Sequence, residues 1–170
     1  MSARIITDEK EGISYRECSI ESKVNNLSKI HIGVGPVHIL ESTLESLTSG
    51  LKIEKDTTPE FDTEWDNYIL KLPKALMKGD KYHFKIKETA KAKRGKKMAR
   101  CLSFVTDRQL DQLTLSVSFS KTAPNEVYYR EYLVSNELRM EETLYPSEIT
   151  FEAKKTSKYC RPRIRYALEW

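Results

Sequence analysis

DNYILKLPKALMKGDKYHFKIKE, residues 66–88, reads as a strand, a corner and a second strand. Tyr68, Leu70 and Leu72 alternate with Asn67, Ile69 and Lys71, so one face is apolar and the other mixed. Pro73 ends that run, because proline has no N–H to give to a ladder. Gly79-Asp80 marks the turn. Beyond it Tyr82, Phe84 and Ile86 alternate with Lys81, His83, Lys85 and Lys87. A period of two, apolar against charged, belongs to a half-buried strand; a helix needs apolar residues three and four apart.

The same period recurs on both sides of this unit. Upstream, Ile30, Ile32 and Val34 alternate with His31 and Gly33. Ile13–Ile20 changes phase midway, as a bulged or edge strand does. Leu51–Lys55 is a short strand, and Asp56–Glu64 an acidic loop that leads to Trp65. Glu41–Thr48 is ambiguous, since Leu40, Leu44 and Leu47 have helical spacing. Downstream, Cys101–Val105 is a short strand. Leu113, Leu115, Val117 and Phe119 alternate with uncharged polar residues, which predicts a strand covered in part on both faces. In Glu126–Val134, Tyr128 and Tyr132 lie in the phase opposite to Val127 and Tyr129. Residues 135–142 read as polar loop or a short helical turn. Glu148–Ala153 reads as a strand with Ile149 and Phe151 inward. Arg163–Trp170 closes the chain with Ile164, Tyr166, Leu168 and Trp170 on one face.

About nine strands joined by short turns predict an all-β, antiparallel β-sandwich, with a closed barrel as the alternative and at most one short helix. No interior linker stands out. The expectation is a single sandwich domain over 13–170, preceded by a loosely held arm over 1–12.

Leu76-Met77-Lys78-Gly79-Asp80-Lys81-Tyr82 resembles the tyrosine-corner segment of immunoglobulin-like and fibronectin type III sandwiches. The resemblance implies Leu76 as a packing residue, Gly79 as the turn residue and Tyr82 as the corner tyrosine. The Tyr82 hydroxyl would then bond main chain a few residues upstream. Lys78 stands where proline is common, and several strands follow the corner, so a standard seven-strand module is not implied. What is implied is an Ig-like sandwich in the broad sense, used for binding or scaffolding.

Composition narrows the classes. The chain has 170 residues, 39% hydrophobic and 32% charged. That is one domain's worth, able to bury about 70% of its unfolded surface without metals or disulfides. No apolar run approaches the roughly 20 residues of a membrane helix, and the first residues lack a signal-peptide core. Cys18, Cys101 and Cys160 are odd in number and widely spaced, as reduced thiols are in a cytoplasmic protein. The expected localisation is therefore cytoplasmic.

Charge carries the functional signal. Lys81–Arg100 holds nine basic residues against one glutamate, and Lys154–Arg165 holds six against none. The whole chain is only +4, so the remainder is net acidic. The Lys81, Lys85 and Lys87 face is expected to belong to the basic surface. Thr89–Arg100 and Lys154–Pro162 are expected as exposed loops. Lys91, Lys93, Arg94, Lys96, Lys97 and Arg100, with Lys154, Lys155, Lys158, Arg161 and Arg163, are the candidate partner- or anion-binding residues. Single-strand nucleic-acid surfaces interleave aromatics with such cations; residues 89–100 have none, and Tyr159 and Tyr166 stand in or near the second cluster. Tyr132, beside an exposed Tyr128 or Tyr129, is a candidate interface contact.

No catalytic residue is nominated: GxSxG and HExxH are absent, and Gly33-Val34-Gly35 lacks the rest of a phosphate loop. His31 with His38, or Asp62 with Glu64 and Asp66, are weak metal candidates, and no cofactor or small-molecule substrate is expected. The reading is a non-catalytic interaction or assembly module that binds an acidic protein or its own copy through a sheet face or edge and the basic loops. The alternative is a nucleic-acid or polyanion-binding module that uses residues 91–100 and 154–165.

Overall fold

The computed structural model describes residues 2–7, 11–34, 39–57, 66–98, 100–105, 109–120, 123–133 and 135–170, with backbone alone over 2–7 and at 11. Among them are thirteen strands and no helix, so the all-β sandwich class holds with more strands than the nine expected. In chain order these are β1 (Ser2–Thr7), β2 (Glu11–Glu21), β3 (Leu27–Val34), β4 (Leu40–Ser46), β5 (Lys52–Lys55), β6 (Asp66–Leu76), β7 (Lys81–Ala92), β8 (Cys101–Val105), β9 (Leu110–Phe119), β10 (Val127–Leu133), β11 (Leu138–Leu144), β12 (Glu152–Cys160) and β13 (Ile164–Glu169). The chain forms two compact units, residues 15–98 and residues 1–14 with 99–170. Neither joint, at 14/15 and 98/99, is marked by a proline- or serine-rich linker.

The 15–98 unit is a two-sheet sandwich. One sheet carries β2, β7 and β4, the other β3, β6 and β5. β7 runs antiparallel to β4, and β6 lies antiparallel between β3 and β5. Alternation works as the sequence indicates. Leu70, Leu72 and Leu76 of β6 and Phe84 and Ile86 of β7 are buried together with Leu51, and Cys18, Ile20, Ile30, Ile32 and Ile53 pack against them. Residues 41–46 of the ambiguous segment are strand after all. Glu41 and Thr43, on the open side of β4, sit opposite Lys91 and Thr89, and pairing outweighs the helical spacing of three leucines. β7 likewise runs on to Ala92, beyond the expected start of the loop, because Ala90 is buried opposite Ser42.

The other unit is also a two-sheet sandwich. β12, β9 and β1 are neighbouring strands of one sheet, and β11, β10, β13 and β8 form the second. Most pairs are antiparallel, but β1 runs parallel to β9 from Ser2 opposite Thr114 to Thr7 opposite Phe119. Residues 2–7 are thus paired strand where a loose arm was expected. Leu113, Leu115 and Val117 of β9 face Leu102, Val127, Tyr129, Ile164, Tyr166 and Leu168 of the other sheet. Ser116 and Ser118, on the second face of β9, are buried too, as its uncharged pattern suggests. Trp170 packs edge-on against Phe119, 5.6 Å between centroids.

Two sequence expectations fail in this unit because charged strands look like loops when read alone, and a third fails in the opposite direction. Residues 138–144 pair with β10, and 154–160, expected within the basic loop 154–162, pair with β9 as part of β12. Ile149 and Phe151, expected inward on a strand, sit in a turn instead. Ile149 is 90% exposed, and Phe151 has a φ of 49°. The Phe151 N–H donates to the Ser147 carbonyl at 2.8 Å, so the chain turns there and β12 begins at Glu152.

The Leu76–Tyr82 corner forms in part. Leu76 is buried and Gly79 takes a φ of 91°, a left-handed value that suits glycine. The Tyr82 hydroxyl, however, is buried without a hydrogen-bond partner. The bond that defines such a corner occurs at Tyr166. Its hydroxyl accepts from the Arg161 N–H at 2.7 Å and lies 3.3 Å from the Arg161 carbonyl, five residues upstream.

Candidate functional site

The candidate cations divide between the two units. In the 15–98 unit, Lys93, Arg94, Lys96 and Lys97 are exposed around a tight turn. Gly95 has a φ of 77° there, and the Lys96 N–H donates to the Lys93 carbonyl at 2.9 Å. Lys91 is exposed on β7 opposite Glu41 and has an interaction partner. Arg100 and the second cluster belong to the other unit. Lys154, Lys158, Arg161 and Arg163 are exposed. Lys155 is engaged instead: it pairs with Glu142 and lies 5.3 Å from the Tyr129 ring centroid.

The lysine face of β7 is not part of a basic surface. Glu17 of β2 takes His83 at 3.1 Å and Lys85 at 3.5 Å, and Glu45 of β4 takes Lys87 at 3.7 Å. Acidic residues on both neighbouring strands thus offset its charge. On the other sheet of that unit, Lys29, Lys71 and Lys52 stand in one cross-strand row, and Lys71 pairs with Glu54 at 2.5 Å. That row is invisible in sequence, because its members come from three strands.

A better-organised surface lies on the outer face of β11-β10-β13-β8. Its strand registers define three rows of four residues. The first is Leu138, Tyr132, Arg165 and Val105; the second Glu141, Arg130, Ala167 and Ser103; the third Thr143, Tyr128, Glu169 and Cys101. The opposite face of the same strands holds Val127, Tyr129, Tyr166 and Leu168 in the core, so alternation fixes this one outward.

Charge and aromatic groups are interlocked across these rows. Arg130 donates from Nε to Glu141 at 2.7 Å and from Nη1 to Glu169 at 2.5 Å, with its guanidinium carbon 4.9 Å from the Tyr128 ring centroid. Hydrogen bonds to Glu141, and then to Glu169, hold the Arg130 charge more firmly than usual. The Tyr132 hydroxyl donates to Glu169 at 2.9 Å. Burial raises the Tyr132 pKa first and that bond adds to it. Arg165 stacks 4.0 Å over the Tyr132 ring, yet its Nε is buried with no hydrogen-bond partner. Leu138 and Val105 end that row at 49% and 51% exposure.

Below this face the sheet is tied to β12. The Tyr129 hydroxyl donates to Glu131 at 2.8 Å and lies 2.8 Å from the Ser157 Oγ.

Sequence reasoning found Tyr132 beside one of Tyr128 and Tyr129, and counted Arg165 only as a member of the basic segment 154–165; it missed Arg130 and Glu169. The available signal was a second alternation, Tyr128/Arg130/Tyr132 and Arg165/Ala167/Glu169, out of phase with the core residues. His38, Asp62 and Glu64 lie outside the described residues. Among the described residues no group of three or more His, Cys, Asp or Glu is placed to hold a metal ion, and no helix is long and apolar enough to cross a membrane.

The sequence matches no family model and no curated protein. Among solved structures the chain is similar to the pilus backbone protein RrgB of Streptococcus pneumoniae, at 11% identity and a TM-score of 0.32, over 97% of this chain and 45% of that one. A structure of the full-length major pilin RrgB from the same organism gives 10% identity and a TM-score of 0.30, over 99% of this chain and 32% of that one. The chain spans less than half the length of either pilus chain, and a likeness this slight transfers no role.

Proposed function

We propose that this is a non-catalytic protein-interaction module that engages a partner chain through the outer face of β11-β10-β13-β8. The row Leu138, Tyr132, Arg165, Val105 carries the reading. Tyrosine and arginine dominate interface hot spots because they bring large area and directed hydrogen bonds at low entropic cost. Here the stack is preformed, with Arg165 4.0 Å over Tyr132. The buried, unpaired Arg165 Nε is an unmet donor, and leaving such a group unsatisfied costs about 1–3 kcal/mol. A partner that brings a carboxylate or main-chain carbonyl to the half-buried Arg165 guanidinium, beside an apolar contact to Leu138 and Val105, has the matching chemistry. An acidic protein segment, or a second copy of this chain, has that chemistry.

The Tyr166 bond to Arg161 supports reading this unit as Ig-like in the broad sense. Three unpaired thiols are compatible with a cytoplasmic setting, which we also propose.

The test compares wild type with Arg165→Met and Tyr132→Ser in capture from the native source and in sedimentation across protein concentration. The expected result is a partner, or self-association, that both variants lose. Identical capture by all three proteins, with all three monomeric, would overturn the reading.

A further inference from the structure

We infer that the corner between β12 and β13 binds single-stranded nucleic acid, on a surface separate from the sheet face above. Four cations are presented there. Lys154, Lys158, Arg161 and Arg163 are exposed, and among the described residues none of them forms an ion pair. The contrast lies within the same fold, where Lys85, Lys87 and Lys155 each have a carboxylate. Lys154 and Lys158 flank Thr156 on one face of β12, which sits at the edge of its sheet. Four residues at about 3.3 Å each put them roughly 13 Å apart. The carboxylates adjoining the cluster in the sheet are Glu152, two residues from Lys154 on β12, and Asp111 of β9, between the register positions Gln112 and Leu110.

An aromatic is placed among these cations. Tyr159 is 72% exposed with a φ of 53°, a value that is a genuine outlier for a bulky side chain. Its effect is local and specific. Ala153 is buried and Lys155 and Ser157 half-buried in one phase; at Tyr159 the alternation breaks, so Lys158 and Tyr159 both face solvent and Cys160 returns to the core. Backbone strain of this kind costs about 1–3 kcal/mol and persists where the surroundings hold it. The surroundings here are the Tyr166 hydroxyl on the Arg161 main chain and the Cys160 thiol on the Ser157 carbonyl at 3.6 Å. Arg163 is held left-handed as well, at a φ of 60°.

A rigid turn that spreads unpaired cations around a solvent-facing ring matches phosphodiesters with unstacked bases: cations track the backbone while the ring takes a base face. An acidic polypeptide without aromatic groups would use the cations but has no base face to lay on the ring. A duplex keeps its bases stacked away from Tyr159.

The test is fluorescence anisotropy of the full chain with a labelled oligothymidylate of about 20 nucleotides, across a salt series. With all four cations engaged, log K should fall against log salt with a slope near −2.8, about −0.7 for each phosphate neutralised. Lys158→Ser should lower that slope by about 0.7. Tyr159→Ala should weaken binding roughly five- to a hundred-fold, and Tyr159→Phe should keep it, because stacking needs the ring alone. Replacing Lys93, Arg94, Lys96 and Lys97 together by Ser should change nothing. Circular dichroism melts confirm that each variant folds. Absence of binding at low salt overturns the inference. So does full affinity in Tyr159→Ala, equal competition by duplex or by polyglutamate, or loss of binding in the quadruple variant.

Discussion

The Arg165 guanidinium lies 4.0 Å over the Tyr132 ring centroid, while its Nε is shut away from solvent with no acceptor. Two effects oppose each other at this pair. Stacking a cation on an aromatic face contributes about 0.5–2 kcal/mol. The orphaned donor costs about 1–3 kcal/mol. Arg165→Met keeps a polarisable chain against the ring, worth about 0.3–1.5 kcal/mol, and removes the orphan. Its unfolding free energy in urea should match wild type or exceed it by up to about 1 kcal/mol. A loss above about 2 kcal/mol would mean that Arg165 is held for stability, and the case for a partner at this site would fall with it.

How much of the molecule is legible in its sequence depends on what kind of contact each residue makes. Residues that act alone on one strand are legible: Tyr68, Leu70, Phe84, Ile86, Leu113, Leu115 and Val117 sit where a period of two puts them. Lys154, Lys155 and Lys158 read as loop because their strand, β12, draws its hydrogen bonds from β9 and has only Ala153 and Cys160 fully buried. The candidate face is out of reach for a further reason. Arg130 meets Glu141 from the next strand and Glu169 from 39 residues away, and no local pattern encodes that register. The tyrosine corner shows the same limit. The motif-like stretch at Tyr82 lacks the bond, and RPRIRY at 161–166 makes it.

Inside the 15–98 unit, Arg16 donates to Glu88 at 2.8 Å, Ser42 donates to the second Glu88 oxygen at 3.1 Å, and the Tyr68 hydroxyl donates to the Ser42 carbonyl. Glu88 is buried among these groups. Removing one partner strands a buried charge, at about 3–5 kcal/mol for a fully enclosed pair. Arg16 is partly exposed, which lowers the figure to about 2–4 kcal/mol. Arg16→Met should cost that much in urea denaturation, whereas Arg16→Met with Glu88→Met should recover to within about 1 kcal/mol of wild type. A double variant no better than the single one would show that the charges are required rather than mutually compensating.

The lysine row Lys29, Lys71, Lys52 sets like charges directly opposite one another, which is destabilising by about 0.2–1 kcal/mol per pair. Lys52→Glu gives Lys71 a second carboxylate and removes one repulsion. It should raise the denaturation midpoint by about that amount at low salt, and the gain should fade by 1 M salt, where screening reaches roughly 3 Å. Lys74→Glu, exposed on β6 with Lys71 but outside the row, is the control and should show a smaller change. Equal gains from both substitutions would point to net charge instead of the row.

The thiols give a pH prediction with a definite sign. Burial pushes Cys18 and Cys101 up to about 11 from the ordinary 9.0; the Glu169 carboxylate adds to the rise at Cys101. A neutral thiol is therefore favoured in the folded chain, while the unfolded chain ionises at lower pH. The stability each contributes is complete below pH 9 and is lost as pH rises from about 9 to 11. Each pH step of one between those two values corresponds to about 1.4 kcal/mol, so the loss approaches about 2–3 kcal/mol per thiol. Urea midpoints measured from pH 8 to 11 should fall across that window, and Cys18→Ala with Cys101→Ala should flatten the fall. At pH 8 the folded thiols should also react with iodoacetamide about a hundred-fold more slowly than unfolded ones, since the thiolate fraction drops about tenfold for each step of one in pKa. Rapid labelling of Cys101 in the folded chain would mean that the third row of the sheet face opens to solvent.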